Sequence, residues 1–173
     1  ETVSLLCLLR GTQEFMVDLL TEDEEVIRHA LEWTTEAHTR FALAQLKAGA
    51  HATSMGDAYA SPNLVSPDMY RDFAFPYEQK VVENVRHTVM PYSVHICGDT
   101  NRIVPLMGQT GAKILEVDWK VDMGAARKAV PEDVVLMGNL NPSDPLCLGT
   151  PDQVRQQAKG IIEATRGKGL ILS

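Results

Sequence analysis

Short apolar runs alternate along the chain with longer stretches of helical periodicity, and no other feature constrains the fold as tightly. That alternation is the pattern of βα units arranged around a parallel sheet. Strands are predicted near 3–9, 51–56, 92–97, 113–118, 134–139 and 169–173. Between the first two, TEDEEVIRHALEWTTEAHTRFALAQLKAGA reads as one long helix with Thr21 as N-cap, acids in its first turn, and Gly49 as its stop. Ile27, Leu31, Phe41 and Leu46 are its apolar positions, and a shorter helix precedes it at 12–20. Ser66 and Pro67 open a further helix that bends or breaks at Pro76. Shorter helices fit 101–109 and 122–129, and a last one opens at Thr150 and Pro151 and closes at Gly167.

Six βα units suit either an open doubly wound sheet or most of an eight-stranded barrel. Strand regularity and the lack of a GxGxxG fingerprint favour the barrel. The expected fold is therefore α/β, the C-terminal portion of a (β/α)8 TIM-type barrel with about six parallel strands, as a single partial domain over 1–173. The chain begins at Glu1 rather than Met and ends inside the apolar run GLILS. A piece of a longer protein is expected, lacking N-terminal strands and the extreme C-terminal end, with open sheet edges that favour self-association.

With 45% apolar and 23% charged residues, the chain carries enough apolar matter for a real core. A net charge of −7 with no Lys/Arg-rich block argues against nucleic acid. No apolar run approaches a membrane span and no signal peptide is visible, so a cytoplasmic location is expected. Three cysteines, Cys7, Cys97 and Cys147, fit reduced thiols better than a disulfide framework.

Candidate chemistry collects at the strand ends. In PYSVHICGDT, residues two apart share a face, so Ser93, His95 and Cys97 point one way and Val94 and Ile96 the other. With the apolar pair under helices, His95 and Cys97 face the barrel interior near its mouth. The same parity groups Glu116 with Asp118, and His51, Thr53 and Met55 with Asp57; Asn139 and Asn141 lie where the next strand gives way to its loop. Catalytic groups of parallel barrels sit at such places. The plainer reading is that Asp57, Asp99 and Asn141 cap loops or helices. An imidazole and a thiolate are good zinc ligands, and a catalytic site needs a third, yet a lone H-x-C is also what a core thiol beside a histidine looks like. Cys147, between two leucines in PLCLGTP, reads as a small buried hydrophobe rather than that third ligand, and Cys7 as core.

The segments LLRGTQEFMVDLL, NLVSPDMYRDFAFPY, SVHICGDT, ILEVDW, LMGNLNP, GTPDQVRQQAKGII and GKGLILS, in this order, resemble the uroporphyrinogen decarboxylase superfamily. The resemblance is to its corrinoid-dependent methyltransferase branch, the methylcobamide:coenzyme M methyltransferase type. It implies an eight-stranded barrel with zinc in its mouth, held by His95, Cys97 and a cysteine placed by the family's pattern just beyond Ser173. It also implies methyl transfer from methylcobalamin, carried by a corrinoid partner protein, to a small thiol such as coenzyme M. No cobalamin-binding D-x-H-x-x-G pattern is visible, in keeping with a corrinoid that arrives on a partner. In this reading Asp57, Asp118 and Glu116 are catalytic candidates, and Asn139 and Tyr59 bind substrate. The metal-free decarboxylase of the same superfamily handles a porphyrinogen with many carboxylates. Its substrate calls for more positive charge than Arg10 and Arg102 supply near the strand ends. A non-catalytic barrel piece that binds a corrinoid protein is the third reading.

Overall fold

A computed structural model describes residues 1–88 and 90–173. Five parallel strands, β1 (Thr53–Gly56), β2 (Tyr92–Ile96), β3 (Ile114–Val117), β4 (Val135–Gly138) and β5 (Leu170–Leu172), pair in the order β1-β2-β3-β4-β5. Every strand pairs with its neighbour in the chain, and the order never reverses as it would in a doubly wound sheet. The sheet is thus an arc of a βα barrel.

One correction concerns the first predicted strand. Residues Val3–Arg10 form a helix, α1, so the sheet has five strands rather than six. A run such as VSLLCLL has no period-2 alternation to mark a strand, and its length does not separate strand from helix. Packing decides for helix: Val3, Leu6 and Cys7 are buried along one stripe while Leu8 and Leu9 face outward. The α2 helix (Thr12–Thr21) follows, and Thr21 closes it rather than opening the next. Asp23 is the cap of α3 (Glu24–Lys47), its carboxylate accepting the Glu25 amide at 3.0 Å.

Ser66 caps α4 (Pro67–Phe73) and Pro76 stands in the first turn of α5 (Phe75–Val85). The stretch predicted over 101–109 shrinks to α6 (Val104–Met107); α7 (Met123–Ala129) and α8 (Pro151–Ala164) hold close to expectation. Thr150 forms a full capping box with Gln153.

Met55, Val94, Ile96, Leu115, Val117 and Leu136 form the buried face of the sheet, packed beneath helices that contribute Leu31, Tyr70, Val81 and Met107. Each such apolar side chain contributes about 2 kcal/mol on burial. The opposite face carries Ser54, His95, Glu116 and Met137, and is less completely covered. Among the described residues no helix is long and apolar enough to cross a membrane.

Candidate functional site

Strand register puts Gly56, His95, Glu116 and Met137 in one row across β1 to β4. His95 and Glu116 therefore share a face at the C-terminal end of the sheet. His95 Nδ1 lies 3.1 Å from the carbonyl oxygen of Glu116, which can only accept, so Nδ1 carries the proton. The lone pair of Nε2 then faces Cys97 Sγ at 2.9 Å, and the Cys97 thiol donates to it. Burial pushes the Cys97 thiol up from its ordinary pKa, and the charges of Asp118 and Glu116 push it further. Unassisted, this thiol stays protonated at neutral pH, and a bound cation would reverse that.

Asp118 and Asn139 brace the turn that presents the pair. Asp118 Oδ2 accepts the Gly98 amide at 2.9 Å and Oδ1 accepts the Lys120 amide at 3.0 Å. Asn139 Nδ2 donates to the carbonyls of Asp118 at 3.0 Å and Val121 at 2.8 Å. The ends of β2, β3 and β4 are thereby cross-linked just behind Cys97. Glu116 keeps its carboxylate partly open to solvent, with Oε2 3.8 Å from His95 Nδ1.

Residue 57 is the main departure from the sequence reading. Because Gly56 is level with His95, Asp57 falls on the helix-facing side with Thr53 and Met55. Thr53 Oγ1 donates to Gln45 of α3 at 2.6 Å, which marks that side. Asp57 is fully buried and caps α1: it accepts the amides of Thr2, Val3 and Ser4 at 3.1, 3.1 and 2.6 Å and the Thr2 hydroxyl at 2.7 Å. It is a structural cap, not a member of the mouth. Tyr59 follows on the helical turn Ala58–Ala60, half-buried against the core, with its amide donating to Ser4 Oγ at 3.1 Å.

Asn141 accepts the Ser143 and Asp144 amides at 2.9 and 3.3 Å, and Asp99 accepts from Asn101, so both serve their own loops. Cys147 is exposed rather than buried, in a loop whose Leu146 and Leu148 are exposed too. Cys7 is core, and burial pushes its thiol up to about 12. Among the described residues no cluster of three or more His, Cys, Asp or Glu side chains is placed to hold a metal ion.

Sequence reasoning missed Ser61 and Asn63. Ser61 Oγ donates to the Cys97 carbonyl at 2.7 Å, and both side chains crowd Gly98, whose φ of 87° and lack of a Cβ permit the approach. The S-P-N turn signal in the loop after β1 was the available hint, but it does not reveal which strand end the loop covers.

The chain matches the family model described as uroporphyrinogen decarboxylase (URO-D) over residues 3–173. It is 33% identical over 154 residues to uroporphyrinogen decarboxylase of Prochlorococcus marinus (strain NATL1A), covering 88% of this chain and 42% of that protein. Against methylcobamide:CoM methyltransferase MtbA of Methanosarcina acetivorans the identity is 30% over 148 residues, covering 86% and 43%. A solved methyltransferase from Methanosarcina mazei superposes with a TM-score of 0.84 at 28% identity, covering 94% of this chain and 47% of that one. The chain thus spans less than half the length of these relatives.

Proposed function

Because the chain belongs to the uroporphyrinogen decarboxylase family, we propose that it is part of a zinc-dependent methyltransferase. The reaction would move a methyl group from a methylated corrinoid, carried by a partner protein, to a small thiol such as coenzyme M. The observation that carries this reading is the contact of His95 Nε2 with Cys97 Sγ at 2.9 Å on the mouth side of β2.

The donor set fits the metal in kind. Two ligands of one tetrahedral zinc stand about 3.6 Å apart for nitrogen and sulfur, so the pair needs to open only slightly. The lone pair of Nε2 is free for a metal because Nδ1 donates to the Glu116 carbonyl, and the nearby Asp118 and Glu116 carboxylates favour a cation. His95 and Cys97 would be two ligands, with a third, a cysteine, supplied from outside these 173 residues. Zinc, when bound, would keep a substrate thiol deprotonated yet nucleophilic. Around it, Asp118 and Asn139 fix the Cys97–Gly98 turn, and Glu116 orients His95 and presents a carboxylate to the mouth. Methylcobalamin would be held by the partner and would supply an electrophilic methyl group, its cobalt keeping the electron pair of the carbon bond, while the zinc held by His95 and Cys97 would keep the acceptor thiol ready with its proton already released to solvent.

The deciding experiment uses the full-length protein. Elemental analysis is expected to find stoichiometric zinc, and His95→Ala and Cys97→Ser are expected to lose both zinc and methyl transfer from methylcobalamin to coenzyme M. Normal activity in both variants would sink the assignment. The decarboxylase is the second reading, supported by 33% identity to the Prochlorococcus enzyme. Porphyrinogen turnover that ignores chelators and survives Cys97→Ser would establish it instead.

A further inference from the structure

At the opposite end of the sheet from His95, the C-terminal ends of α7 and α8 and the turns leading into β4 and β5 enclose a cleft of about 520 Å³. Arg127, Lys128, Arg166 and Lys168 line it, with Glu132 as its carboxylate. Among the described residues none of these cations pairs with a carboxylate, whereas Arg10, Arg28, Lys80 and Lys113 each do. In a chain of net charge −7, that makes the cleft an island of positive potential.

Helix dipoles explain only part of the cluster. Arg127 and Lys128 sit in the last turn of α7, an ordinary place for cations. Arg127 is locked there, donating to the carbonyls of Val134 at 2.6 Å, Val130 at 3.3 Å and Pro131. Arg166 and Lys168 stand past the end of α8 instead. Arg166 is, among the described residues, the one non-glycine with positive φ, at 57°, immediately before Gly167 at 61°. Arg166 thus takes the left-handed position that closes α8, with its amide donating to the Glu163 carbonyl at 3.0 Å, where glycine is the commoner residue.

We propose that this cleft binds a small multivalent oxyanion, a phosphate ester or a polycarboxylate. Its volume suits a small ligand, the guanidinium and ammonium groups of Arg166, Lys128 and Lys168 match such oxygens in charge and geometry, and Arg127, with most of its donors given to backbone carbonyls, adds fixed positive charge. The proposal is independent of the zinc reading and of the mouth.

Calorimetric titration of the full-length protein at low salt, with pyrophosphate and with citrate as probes, tests it. Saturable binding that weakens with salt is expected, and Arg166→Gln and Lys168→Gln should each weaken it about tenfold. Tighter binding of pyrophosphate would assign a phosphate ligand, and tighter binding of citrate a polycarboxylate. Arg166→Gly should raise the melting temperature while weakening binding; a raised melting temperature with unchanged affinity would make Arg166 a turn residue only and overturn its role. Neither probe binding at millimolar concentration, or unchanged binding in a variant with Lys128, Arg166 and Lys168 all changed to Gln, would overturn the whole.

Discussion

Glu78 has no solvent access, and its two oxygens are treated unequally: Oε2 accepts the Tyr70 hydroxyl at 2.7 Å, while Oε1 has no partner among the described residues. Burial, followed by the charge of Asp57, pushes its pKa from 4.5 up to about 8. Between those values the folded state holds a proton that the unfolded state has released, so stability falls as pH rises through that window. His38 has the opposite sign. It contacts the Tyr92 hydroxyl at 2.6 Å, and burial depresses it from 6.5 to about 4, so stability falls as pH drops through that range. The two slopes oppose where the windows overlap, and above pH 6.5 only that of Glu78 remains of these two. Glu78→Gln is expected to stabilise the protein at mildly alkaline pH, by on the order of 3 kcal/mol, and to flatten the alkaline decline. Urea unfolding across pH checks this; a variant no more stable than the parent at alkaline pH would contradict it. This acid was invisible in PYEQKVVENV, where alternating polar and apolar letters do not say which carboxylate turns inward. Parity served His95 and Glu116 well because β2 and β3 have apolar residues at alternate positions to fix the buried face. It failed at Asp57, where HATSMGD shows which residues share a face without showing which face that is.

Among elements, α1 depends on a partner far along the chain. Asp57 accepts three of its first amides, so Asp57→Ala should fray α1 and cost roughly 3 kcal/mol. Hydrogen exchange should then show the amides of Thr2 to Ser4 losing protection first; unchanged protection there would refute the capping role. The misreading of α1 as a strand has the same origin, since the cap that starts it lies 53 residues on from Ser4 and leaves no local signal. By contrast, α4 and α8 carry their own caps, Ser66 and Thr150, with Pro following each, and both starts were legible. At the end of β4, Gly138 has φ of 137° and a Cβ there would lie 2.7 Å from the Val117 carbonyl. Gly138→Ala is expected to separate the ends of β3 and β4, and to loosen Asn139 from Asp118. The melting temperature of that variant is expected to fall; a melt within error of the parent would show the strand ends more compliant than this.

On the scale of the whole molecule, β1 and β5 each pair on one side only among the described residues. The first edge adjoins α3, whose Val26, Trp33 and Phe41 are exposed along one stripe, and Leu8, Val17 and Leu20 are exposed on the preceding helices. Apolar surface of this kind next to an unpaired strand favours association. The 173-residue chain by itself is expected to sediment as a concentration-dependent oligomer, and Phe41→Glu with Trp33→Glu to shift it toward monomer. A parent chain that stays monomeric as concentration rises would count against this. The barrel arc itself was legible because the turns and runs repeat in order.

That order also bears on how the molecule is made. Since each strand from β2 to β5 pairs with its predecessor in the chain, a ribosome can release one strand-helix unit after another onto an edge already waiting for it. The link from Asp57 back to Thr2 is of a different kind, closing a loop of 55 residues before any of the later strands exists. Growth of the sheet from β1 to β5 is thus anchored at β1, and over these five strands the direction of translation and the direction of assembly coincide.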